Sequence, residues 1–579
     1  FGPVKIRWKM GPVELSEGSE MIKLCYNNEY TLGNNIGGGS AMETTAPWWE
    51  QAVIYQIYTR SFYDSDGDGI GDLPGIISKL DYISSLGVDA IWLNPIYPSP
   101  QYDFGYDIAD YRGIDPQYGA MADFDRLLEE AHGRGIRIIM DIVPSVTSHL
   151  HPWFIESRSS RRSPKRDWYI WRDAPRPGRY PNNWRGVFGG RAWDWDKKTR
   201  QYYYHNSLPE QPDLNWRNPE VEKTVLGAME FWFAKGVDGF RVDVLNYVYK
   251  DEQFRNNPYC LGRRPYEMQR HLYDKDRPEA VEVGFKMRRL ADRYPGRVLA
   301  AEVFMDNPAE AARYYGPDGD GTHMVFNFTF MFSRYSAASF RRVVERWQEL
   351  IGERNWPCFF LSNHDNPRHI SRYAAGRRTE ARARVAAAML LTLRGTPFLY
   401  MGEELGMRSV RIRRHELMDP VGITYWPFHP GRDIARTPMQ WTDEDYAGFS
   451  TAKPWLPVNP DYPSLNAAQA EADPRSLLTW YRKLIRLRRE HPALARGGYR
   501  SLQRVPGGVY GYLRERGTER ILVLLNFTGR KKRLSLSDEI GPAGAQILLA
   551  DPERADPVEL HRFYLDADGV LILKLTGEK

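Results

Sequence analysis

Four apolar runs of the chain end in charged or polar side chains that could do chemistry together. These are Asp141 in the run 136–144, Arg241 and Asp243 in 237–244, Glu302 in 297–303, and Asn363, His364 and Asp365 in 357–365. A single carboxylate at a strand end is more often a cap or an ion pair, but clustered carboxylates raise one another's pKa values, a cost that usually signals function. Two carboxyl groups suit glycoside hydrolysis, in which one attacks the anomeric carbon and the other protonates the leaving oxygen. A third carboxylate would hold the sugar hydroxyls, and spacing alone does not say which carboxylate has which task.

The stretch DGFRVDVLN places two opposite charges inside an apolar segment. Its alternation predicts a strand with Phe240, Val242 and Val244 on one face. Arg241 and Asp243 would then point toward the interior. Because a buried charge is costly unless it is paired, each of the two needs a partner.

The acidic loop DSDGDGIGD has the spacing of a calcium-binding loop. Positions 1, 3, 5, 7 and 9 of such a loop correspond to Asp64, Asp66, Asp68, the carbonyl of Ile70, and Asp72, with Gly69 at the turn. Position 12 is Gly75, so the bidentate glutamate of an EF-hand is missing. We predict a small metal site with oxygen ligands, and a plain acidic turn is the alternative.

Eight short apolar runs, mostly separated by helical stretches, must position these side chains. They are AVIYQIY (52–58), AIWLNPIY (90–97), IRIIMDIVP (136–144), VDGFRVDV (237–244), RVLAAEV (297–303), HMVFNF (323–328), PCFFLSNHD (357–365) and TPFLYMGEE (396–404). Repeated strand–helix units imply a parallel sheet with right-handed crossovers. Eight of them predict an α/β fold, a closed (β/α)8 TIM barrel, whose catalytic groups gather at the C-terminal ends of the strands. Periodicity does not prove closure, so a doubly wound sheet remains possible.

The remaining segments are expected to lie around this barrel, which would comprise residues 42–144 and 216–494. Residues 145–215 are too long for a bare loop and predict an inserted subdomain after the third strand. Alternation with regular turn signals predicts an all-β domain, a β-sandwich, over residues 495–579. We interpret residues 1–41, which run into a Gly-rich stretch, as a leader or tag-like extension, with a native extension as the alternative.

Composition argues against several classes of function. The 579 residues carry a net charge of +5, and their charges are interspersed, so we expect no nucleic-acid partner. No apolar run approaches the roughly 20 residues that span a bilayer, and no signal peptide is visible, so no membrane partner is expected. The three isolated cysteines Cys25, Cys260 and Cys358 favour a cytoplasmic location. Both a monomer and a small homo-oligomer remain open.

Eight stretches between about Trp48 and Lys579 carry a specific resemblance to a known family. They read AVIYQIYTRSFYDSDGDGIGDLPGI, DFGYDIADY, QPDLNWRNPEV, GFRVDVLN, AEVF, LSNHDNPR, YMGEELGM and ARTPMQW. Together they resemble glycoside hydrolase family 13, the α-amylase superfamily, and within it most closely the α-glucosidases and oligo-1,6-glucosidases. The resemblance implies a small oligosaccharide as substrate, a structural Ca²⁺ (or Mg²⁺) in the acidic loop, and no organic cofactor.

The resemblance also implies a role for each candidate residue. It implies Asp243 as nucleophile, Glu302 as acid/base and Asp365 as stabiliser of the transition state. Arg241 would keep Asp243 ionised and oriented, which explains the buried charge pair. The substrate-binding positions that it implies are Asp103, Tyr106, Asp141, Phe188, Gln211, Arg241, His364 and Arg436.

Two features bear on the linkage that is cleaved. The stretch QPDLN (211–215) resembles the oligo-1,6-glucosidase branch, and Val244 after the nucleophile accompanies α-1,6 preference in the family, whereas Ala or Thr accompanies α-1,4. The alternative is that Val244 only packs in the strand. Exo-action on short oligosaccharides fits an inserted subdomain that closes the site into a pocket.

The chain departs from the family pattern at Ser145 and Val146, where relatives normally have Asn-His. In the family that histidine hydrogen-bonds the bound glucose, which a valine cannot do. His149 and His151 are too far along the chain to substitute without a loop shift. We expect a weakened or altered enzyme, since one lost hydrogen bond costs about 1–3 kcal/mol.

Two rival functions share the same sequence features. Sucrose isomerases, trehalose synthases and glucosyl transferases have the same three carboxylates and differ in which acceptor reaches the glucosyl-enzyme. Some members of the superfamily are non-enzymatic transporter partners that have lost catalytic carboxylates, whereas this chain has all three.

Overall fold

The computed structural model describes residues 46–577 except positions 306, 542 and 555. The leader predicted over residues 1–41 therefore lies outside the described residues. Among the helices that are described, none combines the length and the apolar composition needed to cross a membrane.

The described strands and helices follow one another along the chain in a largely alternating order. The strands are β1 Ile54–Ile57, β2 Ala90–Leu93, β3 Arg137–Ile142, β4 Trp171–Arg172, β5 Trp193–Asp196, β6 Gln201–Tyr204, β7 Gly239–Val242, β8 Val298–Ala301, β9 Met324–Val325, β10 Cys358–Phe360, β11 Thr396–Tyr400, β12 Gly498–Ser501, β13 Val509–Arg516, β14 Glu519–Asn526, β15 Lys532–Leu534, β16 Gly544–Asp551, β17 Phe563–Leu565 and β18 Val570–Thr576. The α-helices are α1 Leu73–Ser78, α2 Leu80–Leu86, α3 Met121–Gly133, α4 Pro152–Ser157, α5 Pro219–Lys235, α6 Glu279–Ala291, α7 Pro308–Ala312, α8 Phe328–Met331, α9 Ala337–Ile351, α10 His369–Arg372, α11 Thr379–Thr392, α12 Pro420–Tyr425, α13 Ala467–Ala472, α14 Leu477–Glu490, α15 Pro492–Arg496 and α16 Ser537–Ile540.

Eight strands form one parallel sheet in the order β10-β11-β1-β2-β3-β7-β8-β9. A further parallel bridge between Phe326 and Cys358 joins the two ends of this sheet, so it closes into a barrel. Each of the eight predicted apolar runs contains one of these strands. The (β/α)8 barrel is confirmed, and a doubly wound sheet is excluded.

The end of helix α5 determines where β7, the strand that carries Arg241, begins. Helix α5 begins after Asn218, whose side chain accepts a hydrogen bond from the Glu220 N–H. It ends at Gly236, which adopts a left-handed conformation with φ 112°. Strand β7 follows within three residues and is buried along its whole length, as expected for a strand covered on both faces.

Three further sheets accompany the barrel. Between β3 and β7, strands β4, β5 and β6 form a three-stranded antiparallel sheet, in keeping with an inserted subdomain. After α15, a five-stranded antiparallel sheet in the order β12-β13-β14-β18-β16 and the pair β15-β17 form an all-β region. Buried Arg514 donates hydrogen bonds to the carbonyls of Gly497 and Thr392, which ties this region to the barrel.

Candidate active site

The C-terminal ends of the barrel strands bring the three predicted catalytic carboxyls into one cavity of about 330 Å³. Asp243 follows β7, Glu302 follows β8, and Asp365 comes shortly after β10. The lining also includes four of the predicted substrate-binding residues, namely Asp103, Tyr106, Phe188 and Gln211. The other four are not among the lining residues; they are buried beneath it and contact the side chains that form it, and they are Asp141, Arg241, His364 and Arg436.

Arg241 is the centre of the charge network beneath the cavity. Its Nη1 donates hydrogen bonds to Asp243 Oδ1 at 2.7 Å and to Asp141 Oδ1 at 3.0 Å. Its Nη2 donates to Glu302 Oε2. One buried guanidinium therefore serves three carboxyl groups, which explains why the sequence places an arginine two residues before an aspartate in a buried strand.

Asp243 and Glu302 share one titrating system. Burial raises the pKa of Asp243 to about 7 and that of Glu302 to about 8, while Arg241 opposes both shifts. Interaction between the two side chains lowers the pKa of Asp243 and raises that of Glu302. Because the pKa of Glu302 is raised above that of Asp243, Asp243 is the first of the pair to lose its proton and Glu302 is the group that retains one.

Asp365 is held in its ionised form. Burial alone would raise its pKa, but neighbouring groups, among them the guanidinium groups of Arg436 and Arg432, outweigh burial and lower the pKa of Asp365 well below its ordinary value. Arg436 Nη2 donates a hydrogen bond to Asp365 Oδ1 at 2.8 Å, and Arg432 Nη1 lies 3.6 Å from the same oxygen. The cavity therefore has a fixed negative charge that does not titrate with the other two carboxyls.

His364 is neutral and oriented by its neighbours. Burial lowers its pKa well below the ordinary value. The Gln56 amide lies 2.8 Å from Nδ1, so Nδ1 accepts and the proton resides on Nε2. That nitrogen lies 2.8 Å from the Tyr106 hydroxyl and 3.3 Å from Asp365 Oδ2. Tyr106 in turn donates to Asp141 Oδ2 at 2.9 Å, which links His364 to the Arg241 network.

A second ion pair forms another part of the cavity wall. Arg432 Nη2 donates a hydrogen bond to Asp103 Oδ1 at 2.7 Å, and Gln211 Nε2 donates to Asp103 Oδ2 at 3.1 Å. The guanidinium of Arg432 lies 4.5 Å from the centre of the Phe188 ring. Asp103, Phe188 and Gln211 are residues that the sequence predicts for the site, whereas Arg432 is not. The one feature that could have indicated Arg432 is its position four residues before Arg436.

Val244 departs from the sequence prediction. Strand β7 ends at Val242, and Val244 has φ 30° and ψ 53° instead of an extended conformation. A β-branched residue in the left-handed region is strained, and such strain concentrates at functional sites. The expectation that Val244 continues the strand face of Phe240 and Val242 is wrong, because the chain turns there and Val244 lines the cavity.

Ser145 and Val146 both line the cavity, so the departure from the family pattern lies in the site itself. Neither nearby histidine replaces the missing one. His151 Nδ1 accepts a hydrogen bond from the Trp153 N–H at the start of α4. The His149 N–H is bound to the Glu210 carbonyl, and His149 is not among the residues that line the cavity. An apolar valine therefore lines the cavity at the position where the family resemblance leads us to expect a histidine.

The acidic loop brings part of its predicted ligand set together. Asp64, Asp66 and Asp72 offer carboxylate oxygens within 4.8 Å of one another. Asp68 is turned differently, and its Oδ1 accepts the Ile70 N–H at 2.7 Å. Burial raises the pKa of Asp72, and repulsion from Asp66 adds to the shift. Such a group of hard oxygen donors suits Ca²⁺ or Mg²⁺.

Glycine is required at position 69 of this loop. Gly69 has φ 93°, and a Cβ there would lie 2.3 Å from the Lys453 carbonyl oxygen. The loop is thus packed closely against a segment near residue 453, and its Asp64 Oδ2 accepts a hydrogen bond from Ser450 Oγ.

Comparisons with known proteins show which family the chain resembles. A family model described as "Alpha amylase, catalytic domain" matches residues 56–497. A probable alpha-glucosidase of Rhizobium meliloti (strain 1021) is 41% identical over 537 residues, which cover 90% of this chain and 95% of the relative. An oligo-1,6-glucosidase of Parageobacillus thermoglucosidasius is 39% identical over 548 residues, 90% of this chain and 97% of the relative. The crystal structure of an alpha-glucosyl transfer enzyme superposes with a TM-score of 0.85 at 42% identity, covering 92% of this chain and 100% of that one.

Proposed function

The chain belongs to the α-amylase family of glycoside hydrolases, and from this premise we propose that it is a retaining, exo-acting α-glucosidase. It hydrolyses terminal α-linked glucose from short oligosaccharides, with α-1,6 linkages favoured and α-1,4 linkages possible. The observation that carries the proposal is that Asp243 and Glu302 both accept hydrogen bonds from the guanidinium group of Arg241, which holds the two carboxyls close together. Inverting enzymes keep their two carboxyls about 6.5–9.5 Å apart to admit a water molecule, whereas retaining enzymes place them close together.

In the first step Asp243 attacks the anomeric carbon while Glu302 gives its proton to the leaving oxygen. The bond between the anomeric carbon and that oxygen breaks, and a glucosyl ester forms on Asp243. In the second step ionised Glu302 takes a proton from water, and the resulting oxygen attacks the anomeric carbon and releases Asp243. Asp365 stays negative throughout and stabilises the positive charge that develops on the sugar ring.

The part of the cavity wall formed by Asp103, Arg432 and Gln211 binds the terminal glucose. The Asp103–Arg432 pair offers a charged acceptor and a charged donor, and the Gln211 amide adds neutral ones. Hydrogen bonds between these groups and the hydroxyls of a non-reducing end would favour a chain terminus over an internal residue. That preference is the basis of the exo-action.

The proposal is tested with p-nitrophenyl α-glucoside, isomaltose and maltotriose as substrates, followed by proton NMR. We expect glucose as the released sugar, appearing first as the α-anomer and reaching the equilibrium mixture only later. Release of the β-anomer first would show inversion, and internal cleavage of longer oligosaccharides would contradict exo-action. Asp243→Asn, inactive on every substrate, is the control for a contaminating enzyme.

A second candidate function is transglycosylation or isomerisation by the same glucosyl-enzyme. The similarity to an alpha-glucosyl transfer enzyme favours it, because 92% of this chain is covered at 42% identity. Sucrose or maltose at high concentration would then yield new glucosides or isomers in place of free glucose. A non-enzymatic role is less well supported, because all three carboxyls lie together in the cavity.

The activity should have a narrow pH optimum between about 7 and about 8, the values to which the pKa of Asp243 and of Glu302 are raised. Below the lower value Asp243 takes up a proton and ceases to be a nucleophile. Above the higher value Glu302 loses its proton and ceases to be an acid. The measurement is kcat/KM for maltose across pH, which reports the free enzyme.

The matched variant is Glu302→Gln, measured across pH with dinitrophenyl α-glucoside, whose leaving group needs no protonation. Its kcat/KM should no longer fall at high pH, because no acid remains to lose its proton. A profile that is flat from about pH 6 to about pH 9 would contradict the assignment of the two limbs.

Val146→His is expected to raise kcat/KM by about one to two orders of magnitude, because it restores one hydrogen bond to the sugar worth about 1–3 kcal/mol. Steady-state kinetics on isomaltose and maltose measure the effect. Val146→Ala is the matched control, since it changes volume without adding a donor. An unchanged or lower kcat/KM in the histidine variant would reject this account of the departure.

The acidic loop is proposed to bind a structural Ca²⁺, with Mg²⁺ as the alternative ion. Asp64, Asp66 and Asp72 would hold the ion, with Asp68 and the Ile70 carbonyl as further ligands if the loop adjusts. Two observations support this site. Three carboxylates lie close together, and the pKa of Asp72 is raised by burial and by repulsion from Asp66, two costs of ionisation that a bound cation would offset. The ion would supply loop stability and take no part in bond cleavage.

Calcium is expected to raise the Tm of protein that has been freed of metal with EDTA, and above the Kd the rise should grow with the logarithm of the calcium concentration. An ion at 100 times its Kd adds about 2.7 kcal/mol to the free energy of unfolding. Asp66→Asn should remove most of the rise, whereas Asp556→Asn, an exposed control, should retain it. Equal rises in both variants would place the ion elsewhere.

We propose that the protein is cytoplasmic and that it is a monomer or a small homo-oligomer. Its partner is a small oligosaccharide, and we expect no nucleic-acid or membrane partner. Cys260 and Cys358, the cysteines within the described residues, are free thiols, which suits a reducing compartment.

A further inference from the structure

A second cavity, of about 670 Å³, lies beside the inserted three-stranded sheet. Its lining comes from Arg161, residues 166–167 and 169–172, Gln201, residues 215–217 and 248–252, and Phe254. None of its lining residues lines the catalytic cavity. It is therefore a separate candidate for ligand binding.

Most charges around this second cavity are neutralised by neighbours. Arg217 pairs with Glu252 at 2.8 Å and with Glu279 at 3.0 Å. Lys250 Nζ pairs with buried Asp213. Arg161 pairs with Asp173, which is itself largely exposed. These groups need no further ligand.

Arg166 and Arg172 are different, because within the described part of the chain neither has a carboxylate within ion-pair distance. Arg166 lies face to face with the Trp171 ring, at 3.5 Å from its centre. Its Nη1 and Nη2 donate to the Ser157 carbonyl and the Thr199 hydroxyl, groups that carry no charge. Burial lowers its pKa to about 10, the direction expected for a cation that lacks a counterion.

Arg172 has donors to spare. Its Nη1 donates to the Trp171 carbonyl at 3.1 Å, and its guanidinium lies 4.0 Å from the centre of the Phe254 ring. An arginine has five N–H donors in a planar fork, so most of those on Arg172 remain available to a ligand. Asp167 lies near enough to influence its charge but forms no ion pair with it.

We propose that this cavity binds the phosphate group of a small metabolite, either inorganic phosphate or a phosphorylated sugar. Two guanidinium groups without counterions match a dianion in charge, and the arginine fork matches a phosphate in geometry. Arg172 supplies the free donors, and Arg166 supplies fixed positive charge behind them. The aromatic rings of Phe254 and Tyr249, which also line the cavity, would contact an attached sugar.

The test is isothermal titration calorimetry of the full protein with inorganic phosphate and, separately, with glucose 6-phosphate, at constant ionic strength set by chloride. We expect saturable binding of phosphate. Arg172→Gln should raise its Kd at least about tenfold, whereas Arg179→Gln, an exposed arginine outside the cavity lining, should leave it unchanged. Tighter binding of glucose 6-phosphate would identify a phosphorylated sugar as the ligand, and equal affinity would identify the phosphate group alone.

Three results would overturn the proposal. One is the absence of saturable binding of either ligand up to about 10 mM, roughly the weak limit for a specific site. Another is unchanged affinity in Arg172→Gln. The third is competition between phosphate and saturating glucose, which would place the anion in the catalytic cavity. A crystal soaked in phosphate gives an independent readout, because tetrahedral density must contact Arg172 and not another surface.

Discussion

Asp243→Asn is expected to lower kcat/KM for p-nitrophenyl α-glucoside by about 10⁴-fold or more, the scale seen when a nucleophile is removed from a catalytic group that acts as a unit. An amide cannot form the glucosyl ester, although it fills the same volume and can still accept the hydrogen bond that Arg241 Nη1 donates to Asp243 Oδ1. KM should change little by comparison, because sugar binding also depends on the Asp103–Arg432 wall. Steady-state kinetics with active-site titration of the wild type measure the loss.

The matched variants Asp243→Ala and Glu302→Ala separate the two roles when azide is added. Azide entering the space left by Asp243 attacks the face that the nucleophile used and yields β-glucosyl azide. Azide entering the space left by Glu302 attacks the glucosyl-enzyme from the other face and yields α-glucosyl azide. The same azide product from both variants would contradict the assignment of nucleophile and acid.

Arg241→Met is expected to have the second largest effect, because this one cation contacts Asp141, Asp243 and Glu302. Removing one partner from a buried charge network costs about 3–5 kcal/mol of stability. If a similar amount is lost from the transition state, kcat falls by roughly 10² to 10⁴-fold. The physical reason is that the pKa of Asp243, already raised by burial, rises further and leaves the nucleophile protonated.

The loss of stability in Arg241→Met should depend on pH, because Asp243 and Glu302 have raised pKa values. A carboxyl whose pKa is raised in the folded state binds its proton more tightly there than in the unfolded chain, so its contribution to stability is present at low pH and lost as pH rises. Arg241→Met should raise both pKa values further, so its destabilisation should grow as the pH rises above about 7 to about 8, where the wild-type carboxyls have ionised and those of the variant have not.

Chemical unfolding at several pH values measures this dependence. Arg241→Lys, which keeps the charge but loses the planar fork, is the control and should lose activity with a smaller loss of stability. A methionine variant that keeps activity within tenfold of wild type would mean that Arg241 does not hold the network together.

The barrel and its carboxyls were predictable for a simple physical reason. Barrel strands are buried on both faces, so each reads as a short continuous apolar run, and the polar residues that end these runs must meet at one face of the barrel. The sequence therefore predicts that Asp243, Glu302 and Asp365 lie together. It also predicts that Arg241 is paired, although it does not show that one arginine serves three carboxyls.

Other parts of the site depend on contacts that no local pattern encodes. Arg432 contacts Asp103 across 329 positions of the chain, and its position four residues before Arg436 does not reveal that contact. Val244 is β-branched and follows a strand, so its sequence context favours extension, yet tertiary packing forces it into a turn. In the acidic loop, spacing predicts five ligands, but only the carboxylates of Asp64, Asp66 and Asp72 come within 4.8 Å of one another.

The most direct test of the central claim is to trap the covalent intermediate and locate it. The protein is mixed with a fluorinated glucosyl fluoride, whose glucosyl-enzyme hydrolyses slowly, and is then digested and sequenced by mass spectrometry. The account predicts one glucosyl group per active protein, attached to Asp243, and none in Asp243→Asn. A label on Asp365 or Glu302, or rapid turnover of the reagent with no label on any residue, would contradict it.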